Sequence, residues 1–397
     1  MSDQKLTSTV KRRTVLGSIG AGAIAGLAGC GSSSGGSEEG TTTGGTTSSS
    51  TGTASGVRDF GGTEISVLLN GGPIQKGFRQ IVIPHVEEKY NMTINSSVAF
   101  TSEQMAKARA NPNNPPDAFN MDVIGVAAGN REGWLADLSK HSDSLSHWDN
   151  VYEKFRHSNY GHAGLSWQMG EVGPVLNTSG DVWSDGDLPT TQDAIFTEGE
   201  HYAITPFSWS NGPYMLLLAA TIQKDKGKEY FQSSDVDIDA GFQYLKETMA
   251  KKDTTTITGE SQLRNMIGSG TADTIPSIYM YGMIDVWQNV DSVAFGRNLD
   301  PLSIPIAESL GVAANSNKKE AALAYVNEAF SPEMQKKLSQ FMGTSPTVKG
   351  VDRQPKAKQF GSPTPDQFDN FVWPDFDYVS KNRSDWSQRW AQVFGSG

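Results

Sequence analysis

The chain has 397 residues, 33 Lys and Arg against 44 Asp and Glu, a net charge of -11, and a single cysteine. This acidic balance points away from nucleic acid and anionic lipid as partners. One cysteine rules out an internal disulfide framework and a cysteine pair for a metal.

The first element in chain order is an apolar, glycine-rich run from Val15 to Ala28. At about 14 residues it is too short for the roughly 20 that a membrane-spanning helix needs. Lys11, Arg12 and Arg13 precede it and small residues follow it, which is the layout of an export signal. Arg12-Arg13 followed by Thr14-Val15-Leu16 resembles a twin-arginine signal, and Leu27-Ala28-Gly29-Cys30 resembles a lipobox, in which Cys30 becomes the lipidated first residue of the mature protein. Two acyl chains hold a protein at a membrane where one is marginal. Expected divisions are therefore a signal over 1–29 and a lipidated tether over 30–56, whose Gly, Ser and Thr residues bury too little apolar area to fold. Loss of the signal removes four basic residues and one acid, leaving a mature net charge of -14. That excess resembles secreted proteins of halophilic archaea. Glycine patterns at Gly20–Gly26 and Gly31–Gly35 mimic nucleotide and hydrolase motifs, but no strand precedes the first and the second lies in low-complexity sequence, where such a match arises by chance.

From Val57 onward some 340 residues remain, enough for two cores. Ile65–Asn70 reads as a buried strand ending in Gly71-Gly72, and a helical stretch follows whose second piece starts at Pro84. Thr93–Phe100 alternates as a strand, Ser102 opens a helix, and Asp117–Ile124 is the next strand. Strands separated by helices imply parallel pairing and an α/β class. Further on, Ile275–Tyr279 reads as a strand. Asn317 is placed to cap a helix whose third residue is Glu320, and Ser331-Pro332-Glu333 starts another with serine as cap.

The stretch Gly311–Gly350, GVAANSNKKEAALAYVNEAFSPEMQKKLSQFMGTSPTVKG, resembles the late signature of extracellular solute-binding proteins of ABC importers, in particular the spermidine/putrescine-type branch. His85–Phe100, Thr205–Tyr214 and the tail Asp377–Trp390 are similar to that family in order and spacing. The resemblance implies a two-lobed periplasmic-binding-protein-like fold, each lobe a mixed sheet flanked by helices, with the ligand cleft between them. Lobe 1 would take 57–173 and return over 304–397, lobe 2 would take 174–303, and crossings would lie near Val172–Thr178 and Leu302–Ile306. It also implies a monomer that hands a small solute to permease subunits, without cofactor, metal or catalysis.

In such a cleft, strand ends and helix starts supply the ligand contacts. From lobe 1 these are Asn70, Gly71 and Gly72, Thr101 and Ser102, Asn120 and Asp122, and Trp167 with Glu171. From lobe 2 they are Trp209, Ser210, Asn211 and Tyr214, then Tyr279 and Tyr281, with Asp285, and Glu308 beyond them, as further carboxylates. Aromatic faces beside carboxylates suit an organic cation such as a polyamine. Where the polyamine branch carries an aromatic, however, this chain has Asn70-Gly71-Gly72. Glycine-rich loops and the Ser210-Asn211-Gly212 helix start equally suit an anion, an aminophosphonate or a carboxylate. Thiamine is a further amine of this kind, and the tyrosine pair leaves ferric ion open. The six histidines show no metal-ligand spacing, and no nucleophile motif is present in a folded segment. A sensor component using the same fold and a secreted enzyme are the readings from other classes.

Overall fold

The computed structural model describes residues 58–184, 187–209 and 211–395. Cys30, Arg12, Arg13 and Ser210, together with the signal and tether divisions, lie outside these described residues. The described residues belong to one compact unit.

Ten strands make one sheet: β1 Thr63–Leu69, β2 Met92–Val98, β3 Ala118–Asp122, β4 Leu165–Asn177, β5 His201–Ile204, β6 Asp253–Thr256, β7 Thr274–Tyr279, β8 Val293–Phe295, β9 Ile304–Val312 and β10 Ser345–Pro346. Their order is β2-β1-β3-β9-β4-β7-β5-β6, with β8 and β10 both paired to β4. At one end β1 runs parallel to β2 and β3, and at the other β5 runs parallel to β6 and β7. Between these groups β4 and β9 run antiparallel. β4 pairs with β9 from Leu165 to Val172 and with β7 from Val172 to Leu176, so one 13-residue strand serves both groups. The result is an α/β protein of two lobes, each a sheet flanked by helices.

The sequence explains the local choices. In β1 the apolar residues Ile65, Val67 and Leu69 are fully buried at period two. The helical run after it passes from Pro73–Gly77 through a π-turn at Phe78–Val82 into α1, Ile83–Tyr90, where Pro84 fits because the first turn has no N–H to lose. α2 spans Thr101–Ala110 and α3 spans Val123–Glu132. β3 stops at Asp122, two residues short of the strand read from sequence, because the Asp122 carboxylate accepts the Gly125 N–H and caps α3.

In the second lobe α4, Asn211–Gln223, is buried all round along most of its length, as expected of a helix without a polar face. α5 spans Ile238–Glu247 and α6 spans Glu260–Ser269. α7, Lys319–Ala329, begins after Lys318, so the expected Asn317 cap is not formed; Ser316 Oγ accepts the Lys318 N–H instead. α8, Pro332–Met342, is capped by Ser331, whose Oγ accepts the Met334 N–H.

The C-terminal helix α9, Phe376–Phe394, straddles both lobes. Asp377 pairs with Arg131 of α3 at 2.7 Å, while Arg389 pairs with Asp239 of α5. Among the described residues no helix is long and apolar enough to cross a membrane.

Candidate functional site

Parallel strands in both lobes point their carboxyl ends at the seam between lobes, and the loops there close a cavity. It is lined by Asn70, Gly71, Phe100, Thr101 and Glu308 from one side and by Ser208, Trp209, Glu260, Tyr279 and Tyr281 from the other. Its free volume of about 20 Å³ has room for roughly one water molecule, so the lobes must part for anything larger to enter.

The floor is acidic. Asp122 of β3 and Glu308 of β9 are direct cross-strand partners, and both are almost wholly buried. Burial first, and the neighbouring Asp122 charge second, push the Glu308 carboxyl up to about 8, against hydrogen bonds that favour its ionised form. Asn70 Nδ2 donates to Glu308 Oε2 at 2.8 Å. Gln104 in turn donates to Asn70 Oδ1 at 3.3 Å and to the carbonyls of Ala99 and Asn120, which fixes the amide's orientation. Thr101 Oγ1 accepts the Asp122 N–H.

The walls are aromatic. Phe100 and Trp209 stack at 5.5 Å and 22°, Trp209 and Tyr279 lie at 6.5 Å and 13°, and Tyr279 and Tyr281 lie at 5.5 Å and 19°. Four rings, each tilted by no more than 22° from the next, thus form a ladder. Burial pushes the phenols of Tyr279 and Tyr281 well above their usual range, so both remain protonated.

Glu260 closes the top from lobe 2. Its carboxyl is raised by burial, opposed by Arg264 and Lys76, and Arg264 lies 3.1 Å away. Gly72 makes room for it: φ is +68°, and a Cβ there would fall 2.6 Å from a Glu260 oxygen. Behind the floor, Arg383 of α9 donates to the Ser208 carbonyl and keeps a second nitrogen without a hydrogen bond. The carboxamides of Asn120 and Asn211 and the Tyr214 hydroxyl are likewise buried with unused hydrogen-bonding capacity. Such concentration of unsatisfied polar groups is rare outside binding sites.

Of the residues singled out from sequence, Asn70, Gly71, Thr101, Trp209, Tyr279, Tyr281 and Glu308 line the cavity. Asp122 contacts its floor through Thr101, and Asn120, Asn211 and Tyr214 form the buried layer described above. Ser102 lies at the rim, with its hydroxyl 3.5 Å from the Ser208 carbonyl. Three others sit elsewhere. Trp167 packs edge-on to Phe78 at 4.9 Å in the lobe 1 core. Glu171 is ion-paired with Arg297 near the strand crossing. Asp285 is exposed, 3.8 Å from Lys356. Glu260, Phe100 and Arg383 were not singled out. Glu260 opens α6 just after the carboxyl end of β6, and Phe100 ends the loop after β2; the strand-end rule finds both. Arg383 has no local signal.

Among the described residues no cluster of three or more His, Cys, Asp or Glu side chains is positioned to hold a metal ion. Comparison with solved structures supports the architecture. An ABC transporter from Clostridium perfringens is 18% identical at a TM-score of 0.65, covering 83% of this chain and 99% of its own. The A. tumefaciens R10 binding protein AgtB in complex with agropinic acid is 15% identical at 0.65, covering 84% and 99%. The GABA receptor Atu4243 is 16% identical at 0.66, covering 84% and 98%. No curated protein matches the sequence. At these identities the likeness speaks for the fold alone. The model of the bacterial extracellular solute-binding proteins, however, matches residues 83–361, well over half of the sequence, and the chain belongs to that family.

Proposed function

We propose that the chain captures a small organic amine, a polyamine or a relative of one, between its lobes and passes it to the permease subunits of an ABC importer. The observation that carries this reading is the run of rings from Phe100 to Tyr281 that lines one cavity with Glu308, whose cross-strand partner is Asp122. Ring faces attract a cation by about 0.5 to 2 kcal/mol each, more as water is excluded. An alkylammonium held between two rings needs them about 7 to 8 Å apart, given carbon contacts near 3.5 to 4 Å. Trp209 and Tyr279, at 6.5 Å, are already close to that spacing.

A ferric ligand set would have to deprotonate two phenols whose burial holds the proton on. The site favours the amine. The protein acts as a monomer outside the membrane, anchored through Cys30 after removal of a twin-arginine signal over 1–29, with 30–56 as tether. The lobe limits 57–173, 174–303 and 304–397 are supported by the switch of β4 partners at Val172, opposite Ile304.

A thermal-shift screen of amines, anions and ferric chelates in high salt tests the reading. A ligand in hundredfold excess over its dissociation constant adds about 2.7 kcal/mol to the stability of the bound form. Stabilisation by amines supports the proposal; a response confined to anions or iron overturns it.

A further inference from the structure

Next to the acidic cavity lies a larger pocket of opposite charge. It has a volume of 730 Å³ and shares Pro73 and Tyr281 with the cavity, so these two residues stand between the two spaces. Its wall carries Lys76 from lobe 1, Lys336 and Lys337 from α8, Arg264 from α6, and Lys356; Asp285 is its one acid. In a chain of net charge -11 this is a local reversal of sign.

Structural pairing accounts for only part of it. Lys337 is satisfied by Glu333 at 2.7 Å, and Lys356 donates to the Phe341 carbonyl beside Asp285. Lys76 and Lys336 form no ion pair among the described residues, although the Lys76 charge acts on the nearby Glu260 carboxyl. Arg264 gives one nitrogen to Glu260 and the Gly282 carbonyl, while its Nε is buried without a hydrogen bond. Phe341, Ile81 and Met342 supply an apolar side. The step from acid to base therefore falls within one residue pair, Glu260 and Arg264.

We infer that the bound solute is zwitterionic, its ammonium end held by the ring ladder and the Glu308 and Glu260 carboxylates and its carboxylate end reaching Arg264, Lys76 and Lys336 in the adjoining pocket. This rests on the amine reading and sharpens it. A diamine would place its second positive charge among the lysines, whereas an amino carboxylate matches both fields. Charge matching of this kind separates ligands by repulsion as much as by attraction.

The test is calorimetric titration of the full folded body with three chains of equal length: 1,5-diaminopentane, 5-aminopentanoate and glutarate. The expected order places 5-aminopentanoate at least tenfold tighter than the diamine, with glutarate weakest. In a Lys76→Gln, Lys336→Gln double variant, both sites being exposed and tolerant, this preference falls by about tenfold while diamine affinity holds or rises. A diamine that binds tighter than the amino carboxylate, with no change in the double variant, overturns the inference and leaves the amine reading standing. Binding of glutarate alone overturns both.

Discussion

Phe100 of lobe 1 and Trp209 of lobe 2 stack across the seam at 5.5 Å and 22°. The contact joins the first residue before α2 to the loop before α4, so it forms only when the lobes are together. The contact therefore belongs to the closed arrangement, and both rings line the cavity.

Substituting each ring separates the two contributions. Trp209→Ala removes a face from both neighbours in the ladder and is expected to weaken amine binding by about 10- to 100-fold, consistent with one cation–π contact plus lost apolar area. Phe100→Ala leaves the Trp209–Tyr279 gap intact and is expected to cost less than about tenfold. Equal losses in calorimetric titration would place the cation outside that gap.

Glu308 makes binding and stability depend on pH in a definite direction. Its folded pKa of about 8 lies above the ordinary 4.5, so the folded protein keeps a proton that the unfolded chain has lost. Stability therefore falls as pH rises from 4.5 to about 8, with a slope of up to ~1.4 kcal/mol per unit. Amine affinity runs the other way, rising through pH 8 as the carboxyl ionises, until the amine itself deprotonates near pH 10. Glu308→Gln should flatten both profiles. An unchanged affinity profile in that variant would move the counter-charge to Asp122 or Glu260.

Much of this was legible in the sequence because strands and helix starts obey local rules. The Ser331-Pro332 cap, the Pro84 restart and the Ile275–Tyr279 strand follow from the chemistry of single positions. Asn70, Thr101 and Tyr279 stand at strand ends or helix starts and line the cavity, whereas Phe100 and Glu260 stand at equally marked places and were passed over. Trp167 and Glu171 were drawn toward the cleft by chain position alone, yet in a strand neighbouring side chains alternate faces, and Trp167 turns to Phe78. Arg383 lies more than 170 residues from Ser208 and reaches it only because α9 bridges both lobes. No periodicity within α9 encodes that partner.

The proposed anchor has its own test. Cys30→Ser removes the lipid acceptor in the lipobox-like sequence and is expected to release the protein into the medium, while Arg12 and Arg13 changed to lysine should leave precursor in the cell. Fractionation of membrane, medium and cytosol reads both outcomes. Unchanged membrane retention of the serine variant would rule out lipidation at Cys30.

Gly72 sets the fit between lobes. Its φ of +68° disfavours any side chain, and a Cβ would meet the Glu260 carboxylate at 2.6 Å. Gly72→Ala is expected to cost about 1 kcal/mol or more in backbone strain. It should also displace Glu260, reducing ligand affinity beyond the loss of stability. If melting temperature falls while affinity is kept, Glu260 contributes nothing to the site.

A buried cluster of His157, Ser166 and Ser309 gives the last prediction. His157 Nε2 lies 2.6 Å from Ser166 Oγ and 3.2 Å from Ser309 Oγ, and the hydroxyls lie 2.8 Å apart. The arrangement superficially suggests a nucleophile and base. Yet all three residues are buried, and burial drives the histidine pKa down to about 3, so the ring is held neutral as a clamp between β4 and β9. The unfolded chain takes up a proton near pH 6.5 that the folded one refuses, so stability is lost as pH falls from 6.5 toward 3. That trend opposes the Glu308 effect between pH 4.5 and 6.5, and the two together should give a plateau there. His157→Asn suits the observed φ of +50°, since asparagine tolerates left-handed backbone. It should lower stability at pH 7 by about 1 to 3 kcal/mol through lost hydrogen bonds and packing, and denaturant titrations should show the plateau replaced by stability that rises as pH falls from 6.5 to 4.5, where the Glu308 effect acts alone. An acid slope equal to that of the parent protein would assign the loss to other groups.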